Sequence, residues 1–214
     1  MALRALSRVD HLLLGVDKAL RAIVPHSNPS TRPLPVNDDV IPKLSITESR
    51  HVAGLMRINH TGEVCAQGLY HGQAFTAKDE GVKQAMQQSA EEEVDHLVWC
   101  ETRLRELGSH ASLFTPLWYV MSFGLGAVAG AISNEFSLGF VAETEAQVSE
   151  HLQDHIGRLP PQDIRSLQIL AQMDTEELQH RELALQNGGV DLSPTIRHAM
   201  RFMANGMKGI AYHL

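Results

Sequence analysis

Glu93-Val94-Asp95-His96 and Glu177-Leu178-Gln179-His180 carry one pattern twice. A lone glutamate precedes each, Glu63 by 30 residues and Glu145 by 32. Each half therefore reads as one Glu and then a helical Glu-x-x-His. Residues three apart lie on one face of a helix, so each Glu-His pair can grip a single point. In a four-helix bundle, one Glu from each of two helices and a Glu-x-x-His from each of the other two hold two metal ions. Four carboxylates and two imidazoles suit iron or manganese better than a thiolate-bound zinc.

The spacing passes a geometric test. A turn is expected at Lys78-Asp79-Glu80-Gly81. Glu63 lies about 16 residues before it and Glu93 about 12 after, heights of roughly 24 and 18 Å at ~1.5 Å per residue. The second half turns near Gly157 to Pro161. Glu145 lies about 14 residues before that turn and Glu177 about 17 after, roughly 21 and 26 Å. Four antiparallel helices would thus bring all four carboxylates to one depth.

Neighbouring residues point the same way. Met86, Ala90, Leu97, Cys100 and Leu104 form an apolar stripe around Glu93 at helical spacing. Leu138, Val141, Ala142, Val148 and Leu152 do so around Glu145. Leu170, Met173 and Ala184 accompany Glu177 and His180, while Met56, Ala66 and Tyr70 accompany Glu63. Carboxylates on apolar stripes are costly to bury unless paired or metal-bound. Glu145, not nearby Glu143, is on its stripe. Glu91, Glu92, Glu143, Glu176 and Glu182 are expected on solvated faces. A third Glu-x-x-His, Glu48-Ser49-Arg50-His51, is better explained by the capping box Ser45-Ile46-Thr47-Glu48. The motif alone is weak; its matched duplicate carries the weight.

With 214 residues, 43% hydrophobic and 20% charged, the chain can build one substantial core. Long helical periods and little strand-like alternation predict an all-α protein. Cys65 and Cys100 make no disulfide framework and are expected as small core residues in a reducing compartment. No secretory signal is visible. Residues 1–25 carry a net charge of +2 and residues 193–214 a net of +3, which leaves −12 for the middle. An acidic body argues against a nucleic-acid partner. Basic amphipathic ends suit an anionic membrane surface.

Residues 1–45 are expected to hold an amphipathic helix and a linker, and residues 46–214 the bundle. Leu3, Leu6, Val9, Leu13, Val16, Leu20 and Ile23 line one side of a helix over 2–24. Pro25, Pro29, Pro33, Pro35 and Pro42 mark the linker. Helices are predicted over 46–77, 81–107, 136–156 and 161–187, the last stopped by Gly188-Gly189. A final helix starts at Pro194 with Ile196, Met200, Met203, Met207 and Ile210 as its stripe. His151 and His155, one turn apart, are expected on a solvated face, with a relay role the less favoured alternative.

Residues 111–134 hold no charged residue and by length could span a bilayer. A span would put Glu63 and Glu93 on one side and Glu145 and Glu177 on the other, which a shared metal site forbids. The segment is therefore either buried in the bundle or dips into one leaflet, with Trp118, Tyr119 and Phe123 suited to the interface. Gly124, Gly126 and Gly130 would permit close approach.

With these residues in view, the chain resembles the demethoxyubiquinone hydroxylases, ferritin-like di-iron monooxygenases of ubiquinone biosynthesis. The marks are Arg57-Ile58-Asn59-His60-Thr61-Gly62-Glu63, Glu93-Val94-Asp95-His96-Leu97, Pro116-Leu117-Trp118, Phe123-Gly124-Leu125-Gly126-Ala127 and Glu176-Glu177-Leu178-Gln179-His180. They cover the chain from about Arg57 onward; the first 45 residues carry none. The resemblance implies a ferritin-like four-helix bundle with added interfacial helices. It implies two Fe ions per chain on Glu63, Glu93, His96, Glu145, Glu177 and His180, which serve as both metal ligands and catalytic residues. It further implies O2 as co-substrate, NADH or another reductant, and hydroxylation of a polyprenyl methoxy-benzoquinol. Other ubiquinone-biosynthesis proteins are possible partners. The expected location is peripheral and monotopic, on the cytoplasmic face of a bacterial-type cell membrane. Asp174 and Asn59 are candidate partners for the histidines. A ferritin- or rubrerythrin-like ferroxidase and a quinol oxidase of the alternative-oxidase type are the competing readings. No Gly-x-Gly-x-x-Gly or Walker A sequence marks a nucleotide-binding domain.

Overall fold

A computed structural model describes residues 7–25, 27–28, 30–37, 41 and 43–214. Leu3, Leu6, Pro29 and Pro42 of the expected N-terminal helix and linker lie outside the described residues. Among the described residues every regular element is a helix: α1 (Arg8–Ile23), α2 (Ile46–Thr76), α3 (Glu80–Glu106), α4 (Thr115–Ile132), α5 (Asn134–Arg158), α6 (Ile164–Gln186) and α7 (Pro194–Ala211).

Side-chain caps fix most of the helix starts. Ser45 accepts from the Glu48 amide while the Glu48 carboxylate takes the Ser45 amide, so the capping box expected for this stretch forms. Asp79, Ser133, Asp163 and Ser193 cap α3, α5, α6 and α7 one-sidedly, each side chain accepting from a first-turn amide. Ser45→Ala should cost about 1 kcal/mol in urea unfolding. Glu48→Ala should leave bound metal unchanged, because Glu48 is committed to this cap; a drop in metal content would contradict that role.

The hairpins α2–α3 and α5–α6 pack together as a four-helix bundle. Its core has two parts. One contains Met56, Cys100, Leu152, Leu170 and Met173. The other contains Ala66, Tyr70, Ala90, Leu138, Ala142 and Ala184. Between them each helix carries its predicted ligand positions, so the equal depths inferred from spacing are realised. At one end of the bundle, fully buried Arg103 of α3 bonds Asp163 and Ser166 of the α6 start.

The other three helices pack outside this bundle. α4 crosses α2 so closely that backbones meet: a Cβ at Gly72 would strike the Phe123 carbonyl, and one at Gly126 the Leu69 carbonyl. The aromatic expectation for this segment needs correction. Tyr119 is buried and bonds His71, and Phe123 stacks on it beside Phe75. Trp118 is half-buried and lines a cavity. The outward apolar residues of α4 clear of that cavity are Leu117, Val120, Val128 and Ile132, because α2 claims the side of Gly126 and Gly130.

α1 rests on α2 and α4 through Ala19, Ala22 and Ile23, while Val9, Leu13, Val16 and Leu20 face outward. The apolar stripe of α7 turns partly inward, where Ile196, Met200, Met203 and Met207 line the same cavity as Trp118.

Candidate metal centre

Glu63 comes from α2, Glu93 and His96 from α3, Glu145 from α5, Glu177 and His180 from α6. All four glutamates and His96 are buried, and only His180 keeps slight exposure, 11% of its side chain. One donor atom from each of Glu63, Glu93, His96 and Glu177 lies within 4.8 Å of the others. His96 Nδ1 is 2.7 Å from Glu93 Oε2, 3.2 Å from Glu177 Oε1 and 3.8 Å from Glu63 Oε2. His180 Nδ1 is 2.7 Å from Glu93 Oε1 and 3.6 Å from Glu177 Oε2. Glu93 and Glu177 thus each present one oxygen to either imidazole. Glu145 stands beside this group with the Tyr70 hydroxyl donating to it; Glu143 instead bonds Gln147.

Two features test whether a metal fits. Both oxygens of Glu93, Oε2 of Glu177 and both Nδ1 atoms are buried without a hydrogen-bond partner. Lone pairs that crowd together without bonding one another are costly unless a cation takes them. The local charge says the same. Burial, then Glu177 and Glu93, raises the Glu63 carboxyl well above its usual range, and burial with the same two neighbours raises Glu145. Burial opposes protonation of His180, yet Glu177 and Glu93 push it up to about 11. The pocket is short of positive charge. Hard oxygen donors with two imidazoles match iron or manganese.

Each imidazole is also held from behind. His96 Nε2 donates to Glu176 Oε2 at 2.7 Å, and His180 Nε2 to Glu92 Oε2 at 3.1 Å. A carboxylate behind Nε2 keeps the proton there and aims Nδ1 inward.

Residues 50–211 match the family described as ubiquinone biosynthesis protein COQ7. The chain belongs to this family. A 3-demethoxyubiquinol 3-hydroxylase of Psychrobacter arcticus is 86% identical over 214 residues, the full length of both chains. One of Psychrobacter sp. is 74% identical over 209 residues, 98% of each chain. One of Acinetobacter baumannii is 52% identical over 212 residues, 99% of this chain and 100% of that one. The COQ7 assignment agrees with the ferritin-like bundle and with the resemblance drawn from the motifs.

For this COQ7-family chain the structure corrects several expectations. Glu92 and Glu176 back the histidines; Glu92 keeps the exposure expected of it, with 45% of its side chain accessible, whereas Glu176 is largely buried at 14%. The candidates Asp174 and Asn59 do other work: Asp174 accepts from Ser149 and Gln153, and Asn59 Oδ1 accepts from His155 Nδ1. His155 is buried and His151 lines the cavity, so neither sits on a solvated face. Tyr70, placed only on an apolar stripe, bonds Glu145. The missed signal was in the duplicate itself: both motifs read Glu-Glu-x-x-His, and each leading Glu serves the opposite motif's histidine.

Proposed function

We propose that this chain is a 3-demethoxyubiquinol 3-hydroxylase, with two irons held by Glu63, Glu93, His96, Glu145, Glu177 and His180. The observation that carries this is a buried donor cluster whose chain neighbours Gly62 and Thr144 line an adjacent cavity with an apolar wall. The cavity, about 930 Å³, lies between α2 and α5 on one side and α4 and α7 on the other. It reaches Gly62 beside Glu63 and Thr144 beside Glu145, and Leu125, Phe140, Met200 and Met203 give it an apolar wall. A quinol ring with a polyprenyl tail needs such a space; iron storage does not.

Bound iron supplies the redox chemistry that activates O2. One oxygen atom enters a ring C–H bond as C–OH; the other leaves as water, with two electrons and two protons from an external reductant. The protein's own part is placement. Glu93 and Glu177 face both histidines and would help to hold the bound irons. Burial, then Glu145, Glu93 and Glu177, holds the Tyr70 phenol protonated, so it stays a donor and orients Glu145. The apolar wall excludes water from the reacting ring.

Quinone profiling tests this reading. Cells lacking the protein should accumulate a quinone lighter than ubiquinone by one methoxy substituent, and the wild-type gene should reverse that. Labelled O2 should appear in the ring hydroxyl; label found only in water would favour the quinol-oxidase alternative. A side chain at Gly62 offers a finer check. A Cβ there meets nothing within 4 Å, so packing does not require glycine, and Gly62→Ala should stabilise the helix by about 0.4–1 kcal/mol. Gly62→Leu would instead project into the cavity and should raise KM for the quinol. Unchanged KM would place the substrate elsewhere.

The same proposal includes monotopic membrane binding on the cytoplasmic face. α4 is long and apolar enough to cross a bilayer, but ligands before and after it converge on one cluster, which supports a helix lying in one leaflet. Its outward residues, with those of α1 and exposed Phe202 on α7, form the apolar surface, and α7 adds Arg197, Arg201 and Lys208. Two free cysteines agree with a reducing compartment. Val120→Asp with Val128→Asp should shift the folded protein from anionic vesicles into the supernatant. Continued full sedimentation with vesicles would remove α4 from the contact.

A further inference from the structure

Residues 30–32 belong to the proline-rich stretch that precedes the matched family region, and nothing in the hydroxylation chemistry calls on them. The structure lays them across α3 and α6 beside the metal centre. Asp95, next to His96, accepts from Ser30 Oγ (2.8 Å), the Thr31 amide (2.7 Å), Thr31 Oγ1 (2.9 Å) and Arg32 Nε (2.7 Å). Glu176, next to Glu177, accepts both terminal nitrogens of Arg32 at 2.7 and 2.9 Å. The Arg32 guanidinium also lies 4.8 Å from the ring centre of Trp99, whose ring packs 5.3 Å from that of His96. The plane of Arg32 is thus set on three sides: by a carboxylate of α3, a carboxylate of α6 and an indole.

The carboxylate it grips is the one behind a ligand. Glu176 has its oxygens filled by Arg32, Gln172 (2.6 Å) and His96 Nε2 (2.7 Å). A two-pronged Arg–carboxylate contact fixes orientation as well as charge, which a lysine cannot do. The other half of the duplicate is built differently. Glu92 is exposed and bonds Gln88 and His180. His96 is wholly buried and braced; His180 is partly open.

We propose that Arg32 is a positioning residue for the metal centre, which locks Glu176 behind His96 and makes the two metal positions unequal. This rests on the reading of the cluster as a metal centre. The strap formed by residues 30–32 ties the N-terminal segment to that centre, and the coupling runs both ways. If the strap favours metal binding, bound metal favours the docked strap.

The test uses full-length wild-type protein, Arg32→Met and Arg32→Lys, loaded anaerobically with ferrous ion. Iron retention against a ferrous chelator and the Mössbauer spectrum are read for each. Arg32→Met should weaken retention about 10-fold or more, the size typical of losing support behind a metal-bound imidazole. It should alter the signal of one iron more than the other. Arg32→Lys, with charge but no fork, should recover only part of both effects. A purely structural strap would lower the melting temperature of Arg32→Met and leave retention and spectrum unchanged, and that result overturns the proposal. Should Arg32→Met fail to fold, hydrogen exchange decides on wild-type protein alone. Amides of Thr31, Arg32, Leu34 and Val36 should exchange several-fold more slowly after iron loading, and equal rates overturn the proposal. Wild-type protein that takes up no iron removes the metal reading and the strap's role together. Wild-type protein that loads two irons while Arg32→Met matches it removes only the strap's role.

Discussion

Glu93→Ala and Glu177→Ala should each empty both metal positions and reduce quinol hydroxylation to background. Each of these side chains offers one oxygen toward His96 and the other toward His180, so neither metal position survives the loss of either residue. Loss of Glu63 should touch activity equally but move stability in the opposite direction. Its carboxyl is buried, and burial together with Glu177 and Glu93 disfavours its charge. Glu63→Leu relieves that conflict, so the metal-free variant should gain about 0.5–2 kcal/mol over metal-free wild type, the common pattern for a site selected for function. Iron analysis per chain and thermal melts of metal-free protein check both halves. Full iron in Glu93→Ala and Glu177→Ala would sink the ligand set. A lower melting temperature in metal-free Glu63→Leu would show that the pocket is not electrostatically frustrated.

The bundle and the depth of the six candidate donors were legible in the sequence because both follow from local periodicity. A glutamate on an apolar stripe announces itself, and two matched hairpins fix a common depth. The inward turn of Glu176 is hidden by the same periodicity that places the candidate donors. One residue off the stripe, roughly 100° around the helix, a glutamate looks solvated, and only the neighbouring helix decides whether it meets water or a histidine. Arg32 was less accessible still. It bonds Asp95 and Glu176 across 63 and 144 residues from a segment with no period of its own. The capping box at Ser45 and the stop at Gly188, which takes φ +99°, needed only nearest neighbours and could be read directly. The outward face of α4 could not. Every residue there is apolar or small, so hydropathy leaves the orientation open, and the glycine contacts with α2 settle which side points away.

Those contacts set the second large effect. Gly126→Leu should destabilise the protein on the order of 3 kcal/mol, at the upper end for overpacking, because the atoms in the way belong to the backbone. A Cβ at Gly126 meets the Leu69 carbonyl, and one at Gly72 meets the Phe123 carbonyl, so no rotamer change relieves either clash. Relief requires α4 to lift from α2. That movement would also displace Trp118, Met121 and Leu125 from the cavity wall, so quinol turnover should fall while iron content, held by α2, α3, α5 and α6, stays near wild type. Gly124→Ala is the matched control. Its Cβ would meet nothing within 4 Å, and the exchange should be neutral or stabilising by up to about 1 kcal/mol. Urea unfolding, iron analysis and KM for the quinol separate the outcomes. If Gly126→Leu unfolds at the wild-type midpoint, α4 does not lie backbone-to-backbone on α2. If it loses iron in proportion to stability, the crossing supports the metal centre itself and is more than one wall of the substrate cavity.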